Sequence, residues 1–211
     1  MPHRDKAISK DIQEKLTPSS VLQDFIEGNN RFVKDELNTF DAKALVSQTQ
    51  NGQHPKAVVL SCIDSRVPVE LIFDQTIGDV FVARVAGNFE NTDILGSLEY
   101  SCKVAGSKLV FVLGHESCGA VKAACDHVEL GNITALLDNI QPAVTKSEGE
   151  ISGDHNSSNT EFVNQTIKNN VLMTMDRIRE KSPILKEMEA NGEIKIVGGV
   201  YHLSNGKVSM Y

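Results

Sequence analysis

Apolar residues along this chain follow two spacings that alternate. The runs Ala57-Val58-Val59-Leu60, Val80-Phe81-Val82-Ala83 and Leu109-Val110-Phe111-Val112-Leu113 are short and apolar at successive positions. Such runs suit strands buried on both faces, as in a parallel sheet. Between the second and third, Ile94, Leu95, Leu98 and Cys102 recur at helical spacing. A longer helical stretch runs from Phe162 to Ile178, and after the break at Pro183 a further strand is expected from Ile194 to Tyr201. Before the first strand, Thr17-Pro18-Ser19-Ser20 offers capping residues for a helix reaching Val33, with Val21, Leu22, Phe25 and Ile26 on one face. Strands alternating with helices predict an α/β fold, a mostly parallel β-sheet flanked by helices, with an N-terminal helical arm. The polar stretch from Ser147 to Asn159, apolar only at Ile151, predicts a surface loop.

Composition narrows the class. The chain has 211 residues, 40% of them apolar and 23% charged, and no internal repeat. It reads as one domain over residues 1–211. A formal charge of −7 argues against a general nucleic-acid binder, which needs a basic face. No apolar run approaches the roughly 20 residues that span a bilayer. The polar start Met1-Pro2-His3-Arg4-Asp5-Lys6 leads into no apolar segment of a secretory signal. A cytoplasmic protein is expected, with an exported, processed form left open. Four cysteines are too few for a disulfide scaffold and suit metal binding or catalysis instead.

Open α/β sheets place their sites beyond the carboxyl ends of the strands. Cys62-Ile63-Asp64-Ser65-Arg66 follows the first run and His115-Glu116-Ser117-Cys118-Gly119 the third. Two thiolates and one imidazole form a catalytic zinc ligand set that leaves a fourth position open. Any one of Cys62, His115 and Cys118 alone reads more readily as a core residue; the three together at strand ends point to a metal. Cys102 and Cys125 suit helix packing and are not assigned to it. Asp64 and Arg66 form either a plain surface pair or an oriented carboxylate beside the metal. That carboxylate has two possible roles: accepting a hydrogen bond there, or binding the metal and closing the site.

These residues carry a resemblance. Cys62-x-Asp64-x-Arg66, then Gly78-Asp79-x-Phe81-Val82-x-Arg84-x-Ala86-Gly87-Asn88, then Gly114-His115-x-x-Cys118-Gly119 looks like a β-class carbonic anhydrase, matching from about Gly52 to Gly119. The resemblance implies a zinc enzyme interconverting carbon dioxide and bicarbonate, with Cys62, His115 and Cys118 on one zinc per chain and the Asp64–Arg66 pair as catalytic gate. It places Gln53, Phe81, Tyr100 and Gly119 at the substrate, in a cleft at a homodimer interface, with a tetramer also open. One subgroup carries a tryptophan three residues before the first zinc cysteine, in a second, inhibitory bicarbonate site with an arginine and a tyrosine. Here that position is Val59 and the chain has no tryptophan, although Arg84 and Tyr201 match the other two members. This favours the subgroup whose zinc keeps a water ligand. Rival readings are a related hydrolase of carbonyl sulfide or carbon disulfide, and a non-catalytic zinc or bicarbonate module. A nucleotide-binding protein is disfavoured, because no Gly-rich phosphate loop follows a strand.

Overall fold

The computed structural model describes residues 3–211, so Met1 and Pro2 of the polar start lie outside the described residues. A two-stranded parallel ribbon pairs β1 (His3–Arg4) with β2 (Thr39–Phe40). The N-terminal helices are α1 (Lys10–Lys15), α2 (Pro18–Val33) and α3 (Ala42–Thr49). The main sheet contains β3 (Ala57–Ser61), β4 (Val80–Arg84), β5 (Leu109–His115), β6 (Lys195–Tyr201) and β7 (Val208–Met210). Its order is β4-β3-β5-β6-β7, parallel except for β7. The remaining helices are α4 (Val69–Ile72), α5 (Thr92–Glu99), α6 (Gly119–Cys125), α7 (Gly131–Leu137), α8 (Gln141–Glu148), α9 (Thr160–Lys181) and α10 (Pro183–Ala190). None of these helices is long and apolar enough to cross a membrane.

Strand β5 is buried along its whole length because it has strands on both sides and helices on both faces. Leu109, Phe111 and Leu113 face α2, while Val110 and Val112 face α9. Each fully buried side chain of this size contributes about 1.5–3 kcal/mol of hydrophobic stabilisation. Helix α2 starts as its sequence predicts. The Thr17 hydroxyl accepts from the Ser20 N–H, the Ser20 hydroxyl accepts from the Thr17 N–H, and Pro18 occupies the first turn. Its Phe25 ring lies 4.7 Å from Phe73 and 5.9 Å from Phe111, centroid to centroid. Helix α9 buries Val163, Ile167, Val171 and Ile178 against the opposite face.

The pattern of apolar residues was misleading in four places. Strand β4 was expected to be buried on both faces, but it is an edge strand with Val80–Ala83 only half-buried. The helix through Cys102 is α-helical only to Glu99, and Tyr100–Val104 forms a π-helical turn. Ser147 and Glu148 of the expected loop belong to α8, with the Ser147 hydroxyl donating to the Ala143 carbonyl. The edge strand β7 and the short helices α6 to α8 have segments too brief for periodicity to reveal.

The chain leaves β3 for β4 on one side and then crosses to β5 on the other. The carboxyl ends of β3 and β5 therefore flank a topological switch point, where a parallel sheet opens a crevice.

Candidate metal centre

Cys62 is the first residue past β3, His115 the last of β5, and Cys118 caps α6 after a tight turn. That turn bends through Ser117, which has a positive φ of 53°. All three side chains are buried, and their donor atoms lie within 4.8 Å of one another. The two sulfurs stand 3.9 Å apart. Two zinc–sulfur bonds of about 2.3 Å at a tetrahedral angle would separate them by about 3.8 Å.

The imidazole is oriented for the same purpose. His115 Nδ1 lies 2.9 Å from the Glu116 carbonyl oxygen, which can only accept, so Nδ1 carries the proton. The Nε2 lone pair then points inward, where it is buried with no hydrogen-bond partner. An orphaned buried acceptor costs about 1–3 kcal/mol, and a metal ion removes that cost. Backbone fixing of one imidazole nitrogen so that the other can ligate is a common second-shell arrangement. The donor set fits zinc.

The two thiols are close enough to hydrogen-bond. The hydrogen bond from Cys118 lowers the pKa of Cys62 against its burial, with His115 and the Gly87 N–H assisting. The hydrogen bond to Cys62, together with burial, raises that of Cys118. The Gly87 amide lies 3.4 Å from the Cys62 sulfur. Cys102 and Cys125 lie outside the donor set. Burial pushes the Cys102 thiol up to about 12, and Cys125 sits 3.9 Å from the Thr166 hydroxyl.

Asp64 is held beside this centre. Oδ1 accepts from the Arg66 backbone N–H at 2.9 Å and from Arg66 Nε at 3.0 Å, while Oδ2 accepts from Nη2 at 2.8 Å. Arg66 holds the carboxyl down at about 2, chiefly through its side-chain hydrogen bonds. The same Nη2 reaches the Ser117 carbonyl at 3.3 Å, so Arg66 ties the two ligand-bearing loops together. Oδ2 lies 3.8 Å from His115 Nε2 with lone-pair capacity to spare. This geometry belongs to a pair engaged with itself, with the carboxylate adjacent to the donors and outside their set.

Arg84 does something the sequence did not reveal. From the end of β4 its Nε donates to the Cys62 carbonyl at 2.8 Å, and its Nη2 donates to the carbonyls of Asp64 at 3.1 Å and Val67 at 2.7 Å. The guanidinium thus holds the loop carrying Cys62 and Asp64. Val59 is fully buried in the sheet, beside Val82 and Phe111 in register.

The expected substrate residues divide into two groups. Gly119 directly follows Cys118 at the centre. Phe81 and Tyr100 instead meet edge-on at 6.2 Å, in a groove of about 670 Å³ between β4 and α5 that contains no metal-centre residue. Gln53 is exposed and lines a separate hollow of about 440 Å³ with His54, Tyr100 and Lys108.

The carbonic anhydrase family model matches residues 57–208. Carbonic anhydrase 2 of Mycobacterium tuberculosis is 36% identical over 190 residues, covering 86% of each chain. The carbonic anhydrase of Mycolicibacterium smegmatis is 32% identical over 190 residues, 87% of this chain and 88% of that one. Among solved structures, the β-carbonic anhydrase CafA of Aspergillus fumigatus superposes with a TM-score of 0.70 at 25% identity, covering 92% of this chain and 89% of its own. Two tetrameric β-carbonic anhydrases of Sordaria macrospora share the fold at a TM-score of 0.68 and 21% identity, covering 90% and 96%.

Proposed function

The chain belongs to the β-class carbonic anhydrase family of carbonate dehydratases, and on that premise we propose that it hydrates carbon dioxide reversibly at one zinc ion held by Cys62, His115 and Cys118. The observation that carries this reading is the buried His115 Nε2, without a partner and facing two thiols, with an ionised carboxylate beside it. When bound, zinc supplies a water whose pKa falls from 15.7 towards about 7, a nucleophile available near neutrality.

The chain's own residues do the rest. Asp64 Oδ2, 3.8 Å from His115 Nε2, would accept a hydrogen bond from the nucleophile that the metal supplies and so orient it. Arg66 keeps that carboxylate ionised and turned to accept, and the Arg84 clamp holds the loop beneath both. Burial of the donors keeps bulk water from competing for them.

The apolar part of the cleft lies where a second copy would close it. Strand β4 is a sheet edge, and beside it Tyr100 is 53% and Val104 71% exposed. An exposed edge with large apolar side chains is a ready contact surface. We place Gln53, Phe81 and Tyr100 at that contact and take a homodimer as the minimal active unit. A single domain over 1–211 and a cytoplasmic location, where ligand thiols stay reduced, complete the proposal.

Metal analysis and stopped-flow hydration of carbon dioxide on one sample test it. About one zinc per chain and turnover lost with the metal are expected. A fully loaded protein that hydrates no carbon dioxide, or that releases sulfide from carbonyl sulfide in preference, overturns it.

A further inference from the structure

One stripe of α9 reaches across to the loop that follows β4. Asn170, buried in the core, donates Nδ2 to the Gly87 carbonyl at 2.7 Å. Two turns on, Arg177 Nε lies 2.8 and 2.9 Å from the two oxygens of Glu90, and Lys181 donates to Glu90 Oε1 at 2.8 Å. Glu90 is only 2% exposed. Residues 170, 177 and 181 are spaced to share one helix face. They hold Gly87–Glu90 at both ends.

What this loop presents to the metal centre is the Gly87 N–H, 3.4 Å from the Cys62 sulfur. Gly87 cannot be replaced there. Its φ is +83°, and a Cβ would come 2.4 Å from Ile140 Cδ1. An N–H aimed at a thiolate withdraws electron density from the sulfur. Partners of this kind tune a metal without touching it.

We infer that Asn170 is a positioning residue for the metal centre, acting through Gly87 to hold an N–H donor on the Cys62 sulfur. The inference rests on the zinc reading above. A buried amide on the apolar face of α9, between Ile167 and Val171 in the core stripe, otherwise interrupts packing that an aliphatic residue would serve. Without Asn170 the loop keeps its Glu90 anchor and the bond from the Asn88 N–H to the Val85 carbonyl. The Gly87 carbonyl loses its tether, however, and through the Gly87 Cα the adjoining Ala86–Gly87 amide is less firmly aimed at the sulfur. The sulfur is then more electron-rich, but the site is less well formed in advance, and the loss of such an outer partner lowers metal affinity on balance.

Three proteins test this: the parent, Asn170→Leu, and Ile178→Ala, which cuts a core contact on the same helix away from Gly87. Each is loaded with cobalt for its thiolate charge-transfer band, then titrated with a chelator in its zinc form. In Asn170→Leu the band should move to longer wavelength and zinc retention should fall about tenfold. In Ile178→Ala both should stay at parent values despite a lowered Tm. Asn170→Ser, smaller and without strain, should move both readouts in the same direction if the leucine variant does not fold. Parent-like readouts in the Asn170 variants, or equal changes in Ile178→Ala, overturn the inference and leave the zinc reading standing. A parent that takes up neither metal overturns the zinc reading itself and this inference with it.

Discussion

The metal centre and the β4 edge are built from the same sheet, yet they are finished to different degrees. At the centre almost every polar group has a partner. Arg66 and Arg84 bond the loops, His115 is fixed by a carbonyl, and Gly87 is held from α9. His115 Nε2, the atom a metal would take, is buried without a partner, as are Ser61 Oγ, Asn88 Nδ2 and Asn170 Oδ1 around the centre. Along β4 the situation is reversed. Phe81 and Tyr100 border an open groove, while Gln53 and the exposed Val104 line the neighbouring hollow. A region that a chain completes alone buries its donors and orients them with its own backbone. A region left half-built, with apolar side chains in solvent, requires another surface. The contrast keeps the metal donors within the single chain and leaves the apolar groove open, which is the ground for the proposed second copy.

Breaking the finished region should have the largest effect. Cys118→Ser removes a thiolate ligand, and zinc affinity should fall by more than about 100-fold, beyond what second-shell changes cause. Equilibrium dialysis reads this, and full occupancy in the variant would remove Cys118 from the ligand set.

Asp64→Asn should keep zinc yet lower turnover by about 10²–10⁴, the usual range for a lost proton-transfer partner. Wild-type turnover would reduce the pair with Arg66 to a surface feature. The same residue sets a pH expectation. Its folded pKa is depressed to about 2 from an ordinary 3.8. The ion pair therefore contributes stability above the ordinary value and loses it as pH falls through about 2. Activity from about pH 6 to 9 should carry no step from Asp64, and an abrupt loss within that window would show that Asp64 leaves Arg66 there.

The unfinished region should respond more mildly. Val104→Arg places like charges at a contact between identical copies, which costs several kcal/mol at such an interface. The variant should sediment as a monomer, retain zinc, and lose about tenfold in turnover. If it sediments as a monomer with full activity, the cleft does not need a second chain. If it remains a dimer, the contact lies elsewhere.

Local chemistry accounts for what the sequence determined by itself. Thr17 and Pro18 start α2 because the capping groups are neighbours in the chain. Three apolar runs give β3 to β5, and Cys62, His115 and Cys118 stand out because each stands at or just past a strand end or closes the turn after one. Asp64 and Arg66 are legible for the same reason, being two residues apart. The tertiary structure decided whatever depends on partners distant in sequence. Val80–Ala83 has the composition of a central strand, and only the sheet order makes it an edge. Arg84 gave no local sign that its donors would meet the carbonyls of Cys62, Asp64 and Val67 across the neighbouring strand end. Phe25 is placed by the helical pattern on the apolar face of α2, but only the fold shows that this face is buried against Phe73 and Phe111. Asn170 carried one faint signal, a polar residue on an apolar helix face. Its target, Gly87, lies 83 residues away, at a separation no periodicity encodes.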